Sequence, residues 1–104
     1  MTRVEFTVNI VQLLHQMILL GEHPVGDFWK RSKEEQKRLF DAGLSKCDGE
    51  HNISAHQVGR ALDIYFIEDN KVVDPKSGWV YWHDLWEAWG GVPVISWDQG
   101  HFEG

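Results

Sequence analysis

Hydrophobic and polar positions along the 104-residue chain change period several times, and each change marks an element. Val4, Phe6 and Val8 alternate, after which Ile10, Leu13, Leu14, Met17 and Ile18 recur at spacings of three and four. The second pattern predicts an amphipathic helix with one buried stripe, capped at its start by Thr7 or Asn9 and ended by Gly21. Glu22-His-Pro-Val-Gly reads as a turn that leaves His23 in solvent. Ser32-Lys-Glu-Glu opens a capping box, with Glu35 at the third helical position. That helix runs to about Ala42, stops at Gly43 and turns Leu39 and Phe40 inward. Leu44–Ile53 is polar and reads as a loop.

Ala61-Leu-Asp-Ile-Tyr-Phe-Ile predicts a central strand, and Glu68-Asp-Asn-Lys a hairpin turn into the short strand Val72–Val73. Asp74–Gly78 is a further turn. Trp79–Trp89 repeats Trp82, Leu85, Trp86 and Trp89 at helical spacing until Gly90-Gly91 ends it. Val92–Trp97 is strand-like again, with Pro93 placing it at an edge or a strand start. The sum is an α+β chain: one small domain over 1–104, an antiparallel sheet with flanking helices.

Composition narrows the function classes. A hydrophobic content of 42% and a charged content of 25% are ordinary for a globular domain. The net charge is −6, with Lys and Arg scattered, which argues against nucleic acid as the main partner. Val4–Leu20 is interrupted by Glu5, Asn9, Gln12, His15 and Gln16, so neither a signal peptide nor a membrane span is expected. The chain reads as cytoplasmic at synthesis. Cys47 is the lone cysteine, which excludes an internal disulfide and Cys-based zinc fingers. Four of the six tryptophans fall within Trp79–Trp89, either as core or as the lining of a groove for a sugar or peptide.

Two stretches carry the candidate chemistry. In Ser54-Ala-His-Gln-Val-Gly-Arg-Ala-Leu-Asp63, His56 precedes the strand, and Gly59 lets the chain bend between His56 and Asp63. Alternation puts Asp63 on the face of Ala61 and Tyr65, opposite Leu62, Ile64 and Phe66. A carboxylate there is costly unless paired or bound to metal, the alternative being a half-exposed sheet face. In Asp98-Gln-Gly-His101, Gly100 permits a tight turn that brings both side chains to one site. The two imidazoles and two carboxylates fit three zinc ligands, His56, Asp63 and His101, with Asp98 left to handle the protons of a water. Glu103 is placed to orient a ligand imidazole or is a surface acid. Arg31 is a plain surface charge or, in a metal site, a fork for a carboxylate or oxyanion. His15, Cys47, His51 and His83 are weaker ligand candidates. For His15 the competing reading is a partly buried packing residue.

These residues resemble the zinc D-alanyl-D-alanine carboxypeptidase and L-alanyl-D-glutamate endopeptidase family, which includes many phage endolysins. The shared pattern is Ser54, His56, Gly59, Ala61 and Asp63, then Asp98 shortly before His101-Phe102-Glu103. Upstream, Arg31-Ser32-Lys-Glu34-Glu35-Gln36 with Leu39 and Gly43 is similar to the family's arginine block, and Trp89-Gly-Gly matches too. Two segments depart from it: Phe-Trp-Lys-Arg-Ser replaces aromatic-Arg-Ser, and the usual Gly-Gly-x-Trp spacing is missing after Gly91.

The resemblance implies one zinc ion on His56, Asp63 and His101, with Asp98 as catalytic base. It also implies Arg31 as the residue steadying substrate or oxyanion, and Ser54 with Arg31 among the substrate-binding residues. The implied fold is the hedgehog/DD-peptidase one, and the implied substrate the stem peptide of bacterial peptidoglycan. An endopeptidase acting as a monomer is expected, reaching the wall through a phage holin. The alternatives are a D-alanyl-D-alanine carboxypeptidase or dipeptidase, and a catalytically inactive, zinc-stabilised binding domain.

Overall fold

The computed structural model describes residues 1–27, 33–43 and 59–104. In chain order the elements are helix α1 (Arg3–Leu19), strand β1 (Pro24–Asp27), helix α2 (Lys33–Asp41), strand β2 (Ala61–Glu68), strand β3 (Lys71–Val73), helix α3 (Trp79–Ala88) and strand β4 (His101–Glu103). This is the expected α+β arrangement, an antiparallel sheet with helices packed on it.

β2 organises the sheet. β1 pairs along one edge, from Pro24↔Phe66 to Asp27↔Asp63. The other edge is shared end to end by β4 (Ala61↔Glu103 to Asp63↔His101) and β3 (Phe66↔Val73 to Glu68↔Lys71). The hairpin forms because Asp69 and Asn70, at φ 51° and 62°, tolerate the left-handed region that a two-residue turn requires.

Alternation along β2 separates two faces. Leu62, Ile64 and Phe66 are buried, with Phe102 of β4, against Phe6, Ile10, Leu13 and Met17 of α1 and Trp82 and Trp86 of α3. Burying each of these large side chains contributes on the order of 1.5–3 kcal/mol. Trp86 meets Phe6 and Phe102 edge-on, with ring centroids at 5.7 and 6.0 Å. Both buried indoles keep a hydrogen-bond partner: Trp86 Nε1 donates to the Glu103 carbonyl, and Trp82 Nε1 to Glu22 Oε2. Of the clustered tryptophans, then, Trp82 and Trp86 are core, while Trp79 and Trp89 are half-buried at its margin.

Several expected boundaries move. α1 starts earlier than Thr7 or Asn9, because Thr2 and Glu5 form a reciprocal capping box. The alternation of Val4, Phe6 and Val8 is therefore helical, and only Phe6 turns inward; Val4 and Val8 are exposed. The buried stripe is Phe6, Ile10, Leu13 and Met17, which leaves His15 and Ile18 in solvent rather than packed. α1 ends as expected at Gly21, φ 82°, where Gly21 N donates to Ile18 O and Glu22 N to Met17 O in a Schellman motif.

The expected turn at 22–26 becomes β1 from Pro24 onward, since β2 offers an edge to pair with. Phe40 is 42% exposed instead of inward, because α1 and α3 already cover the apolar face of the sheet. The capping residue Ser32 lies outside the described residues. Val92–Trp97 forms no strand: Ile95 and Asp98 close a tight turn with an isolated bridge, and Val92 N donates to Glu103 O. Pro93, without an N–H, cannot sustain a ladder there.

Candidate metal centre

The face of β2 opposite the core carries Asp63 and Tyr65, both half-buried. Antiparallel register sets His101 of β4 directly beside Asp63, with Asp27 of β1 on its other side. Cross-strand neighbours project to the same face, and His101 Nδ1 lies 3.2 Å from Asp63 Oδ1. Glu103 is two residues along β4, hence on that face too, and its Oε1 is 3.0 Å from His101 Nε2. The imidazole is thus gripped at both nitrogens and only 12% exposed.

Asp98 reaches the same place through the turn that precedes β4. Asp98 N donates to Ile95 O, and His101 N donates to Asp98 O. Ile64 N donates to Gly100 O at 2.7 Å, which fastens the turn to β2. Gly100 is required by this close approach: a Cβ there would lie 2.5 Å from Ile64 O. The expectation that Gly100 unites Asp98 and His101 holds, with backbone proximity as the reason. One ligand-capable atom from each of Asp63, Asp98 and His101 lies within 4.8 Å of the other two.

That donor set, two carboxylates and an imidazole, can hold a metal ion. Ligand atoms at about 2.0–2.2 Å from a tetrahedral ion are separated by roughly 3.3–3.6 Å. The Asp63–His101 separation of 3.2 Å is close to such an edge. Glu103 on the far nitrogen has the carboxylate–histidine arrangement that fixes a ligand imidazole's tautomer. Asp98, expected to stand apart as a base, sits within the cluster and is exposed.

Two histidines are shifted in opposite senses. For His101, burial alone pushes the pKa down, but hydrogen bonds to Asp63 and Glu103 and the charges of Asp63 and Asp98 outweigh it and raise it. For His83 on α3, burial dominates and lowers the pKa, against the Gln99 carbonyl and the charges of Glu87 and Asp84. Burial thus favours the neutral form of the His83 ring. It is not a ligand of the cluster; its Nε2 lies 2.6 Å from the Gln99 carbonyl, inside the Asp98–His101 turn.

Arg31, Ser54 and His56, with Cys47 and His51, lie outside the described residues. Gly59, just ahead of β2, sits at φ 72°, in the left-handed region open to glycine. Reading the residues did not anticipate Glu22, a 3%-exposed carboxylate that accepts from Lys76 N, Ser77 N and the Trp82 indole. Nothing local marks it, because its donors lie more than fifty residues away. Among the described residues no helix is long and apolar enough to cross a membrane. No family model, curated protein or solved structure matches the chain.

Proposed function

We propose that the protein is a zinc-dependent peptidase acting on the stem peptide of bacterial peptidoglycan, as an L-alanyl-D-glutamate-type endopeptidase. The observation that carries this reading is the convergence of Asp63, Asp98 and His101, with Glu103 behind the imidazole. The motif resemblance from Arg31 to Glu103 supplies the substrate class.

Bound here, a zinc ion supplies Lewis acidity for polarising a peptide carbonyl and for acidifying a water. Asp63 and His101 would hold the ion, with His56 as the further ligand that the motif resemblance implies. Glu103 keeps the proton on His101 Nε2 and so leaves Nδ1 with a lone pair. Asp98, the most solvent-open member of the cluster, accepts the proton of the attacking water and passes it to the leaving amine. Arg31 neutralises the substrate carboxylate or the developing oxyanion, and Ser54 contributes to binding the peptide.

Digestion of purified peptidoglycan with mass analysis of the fragments tests the proposal. Zinc-loaded protein is expected to expose new D-glutamyl amino termini, chelation to abolish this, and added zinc to restore it. Loss of single terminal alanines instead identifies a carboxypeptidase. Intact peptidoglycan beside a zinc-bound protein identifies a binding domain. An Asp98→Ala protein that keeps both zinc and full hydrolysis removes Asp98 from its role as base.

A further inference from the structure

The turn that carries Asp98 and His101 has three backbone carbonyls, and each is held by a different part of the protein. Asp98 O accepts from His101 N within the turn itself. Gly100 O accepts from Ile64 N of β2, the strand that carries Asp63. Gln99 O is 2.6 Å from the Nε2 of His83, a side chain of α3. A carbonyl can only accept, so Nε2 carries the proton and donates it. The other nitrogen, Nδ1, is then a bare acceptor, buried and without a hydrogen-bond partner among the described residues.

The ring itself is 1% exposed and stacks face to face on Phe102, with centroids 4.1 Å apart and planes 5° from parallel. A phenyl ring would stack equally well and would bury no unpartnered nitrogen. What imidazole adds is one N–H, and that N–H is spent on Gln99. We infer that His83 is a positioning residue: it clamps the Gln99 carbonyl to α3 and thereby sets where Asp98 and His101 stand relative to Asp63. Phe102, next to His101 on β4, is the surface against which the clamp is fixed. The link to metal rests on the reading of Asp63, Asp98 and His101 as a metal centre; the clamp on the turn does not.

Two substitutions in the full chain separate the ring from its donor. His83→Phe keeps the stack on Phe102 and loses the N–H, whereas His83→Gln keeps an N–H donor and loses the ring. In metal-free protein, His83→Phe should speed hydrogen exchange at the His101 and Ile64 amides while the α3 amides stay protected. In a cobalt(II) titration it should lower affinity by about 10–100-fold and alter the visible spectrum, the range seen when groups behind metal ligands are removed. His83→Gln should recover part of both. If the phenylalanine variant does not fold, His83→Met against His83→Gln poses the same contrast. Unchanged exchange at His101 and Ile64, or wild-type cobalt affinity in a folded donor-less variant, overturns the assignment. Should the wild-type protein bind no cobalt while the donor-less variant still loosens the turn, the metal centre falls and the clamp stands.

Discussion

Asp63 Oδ1 and His101 Nδ1 face each other at 3.2 Å across the β2–β4 ladder, while Glu103 holds the opposite nitrogen of the same ring. A carboxylate oxygen and a bare imidazole lone pair repel at that distance. Something positive must lie between them: a proton on the ring or a metal ion. The two are exclusive, since both use the Nδ1 lone pair.

Metal binding should therefore release a proton. His101 has a raised pKa in the metal-free protein, so below that value cation and proton compete. Zinc affinity is expected to rise about tenfold per pH unit up to the raised pKa and then level off with respect to this group. Calorimetry in buffers of different ionisation enthalpy counts the proton. His101→Ala should lose most of the affinity, and Asp63→Asn should lower the His101 pKa as followed by ring NMR.

Without metal, the two shifted histidines should give stability opposite pH dependences. His101 is raised, so its pairing stabilises the fold fully below the unfolded value of about 6.5 and fades as pH rises through the folded value. His83 is lowered, so its contribution is intact above about 6.5 and fades as pH falls toward the folded value. Urea midpoints measured across this range should lose their acid-side slope in His83→Phe and their alkaline-side slope in His101→Ala. A wild-type acid slope retained in His83→Phe would assign it to other groups.

Gly100→Ala should damage the site and the fold together. The added methyl would meet the Ile64 carbonyl at 2.5 Å, and neither backbone can yield without breaking the Ile64–Gly100 hydrogen bond. A cost of about 1–3 kcal/mol is expected from the forced backbone shift, read as a lower urea midpoint with weakened metal binding. Gly21→Ala is the control. It has open space around its Cβ and pays only the left-handed backbone penalty, and metal affinity should not change.

Glu22→Ala should be among the most destabilising substitutions outside the apolar core. It strands the Lys76 and Ser77 amides and the buried Trp82 indole, all of which converge on the one carboxylate. Leaving one buried indole and two part-buried amides without their acceptor costs roughly 2–4 kcal/mol together. Thermal denaturation should show the loss, and Glu22→Gln should restore part of it by keeping an acceptor oxygen.

Much of this architecture is local and could be read along the chain. The period-two run at 61–67 specifies β2 and puts Asp63 on the face away from Leu62, Ile64 and Phe66. Asp69-Asn70 specifies the hairpin, and Gly21, Gly43 and Gly90, all at positive φ, end the three helices. The pairing of Asp98 with His101 was legible too, because a turn of four residues depends mainly on its own backbone.

What the chain could not disclose depends on contacts distant in sequence. β1 is a strand because β2 presents an edge, and Val92–Trp97 is not one, since no described partner strand meets it. The α1 start misled because apolar residues alternate at Val4, Phe6 and Val8, while the capping box at Thr2 and Glu5 governs the backbone. His83 has the sequence signature of a stray ligand candidate, and only the packing of α3 on β4 shows its N–H committed to Gln99. Local periodicity encodes which face a residue occupies; which residue stands opposite it is decided by strand register and helix packing. The register Asp63↔His101, which makes the centre, belongs to that second kind.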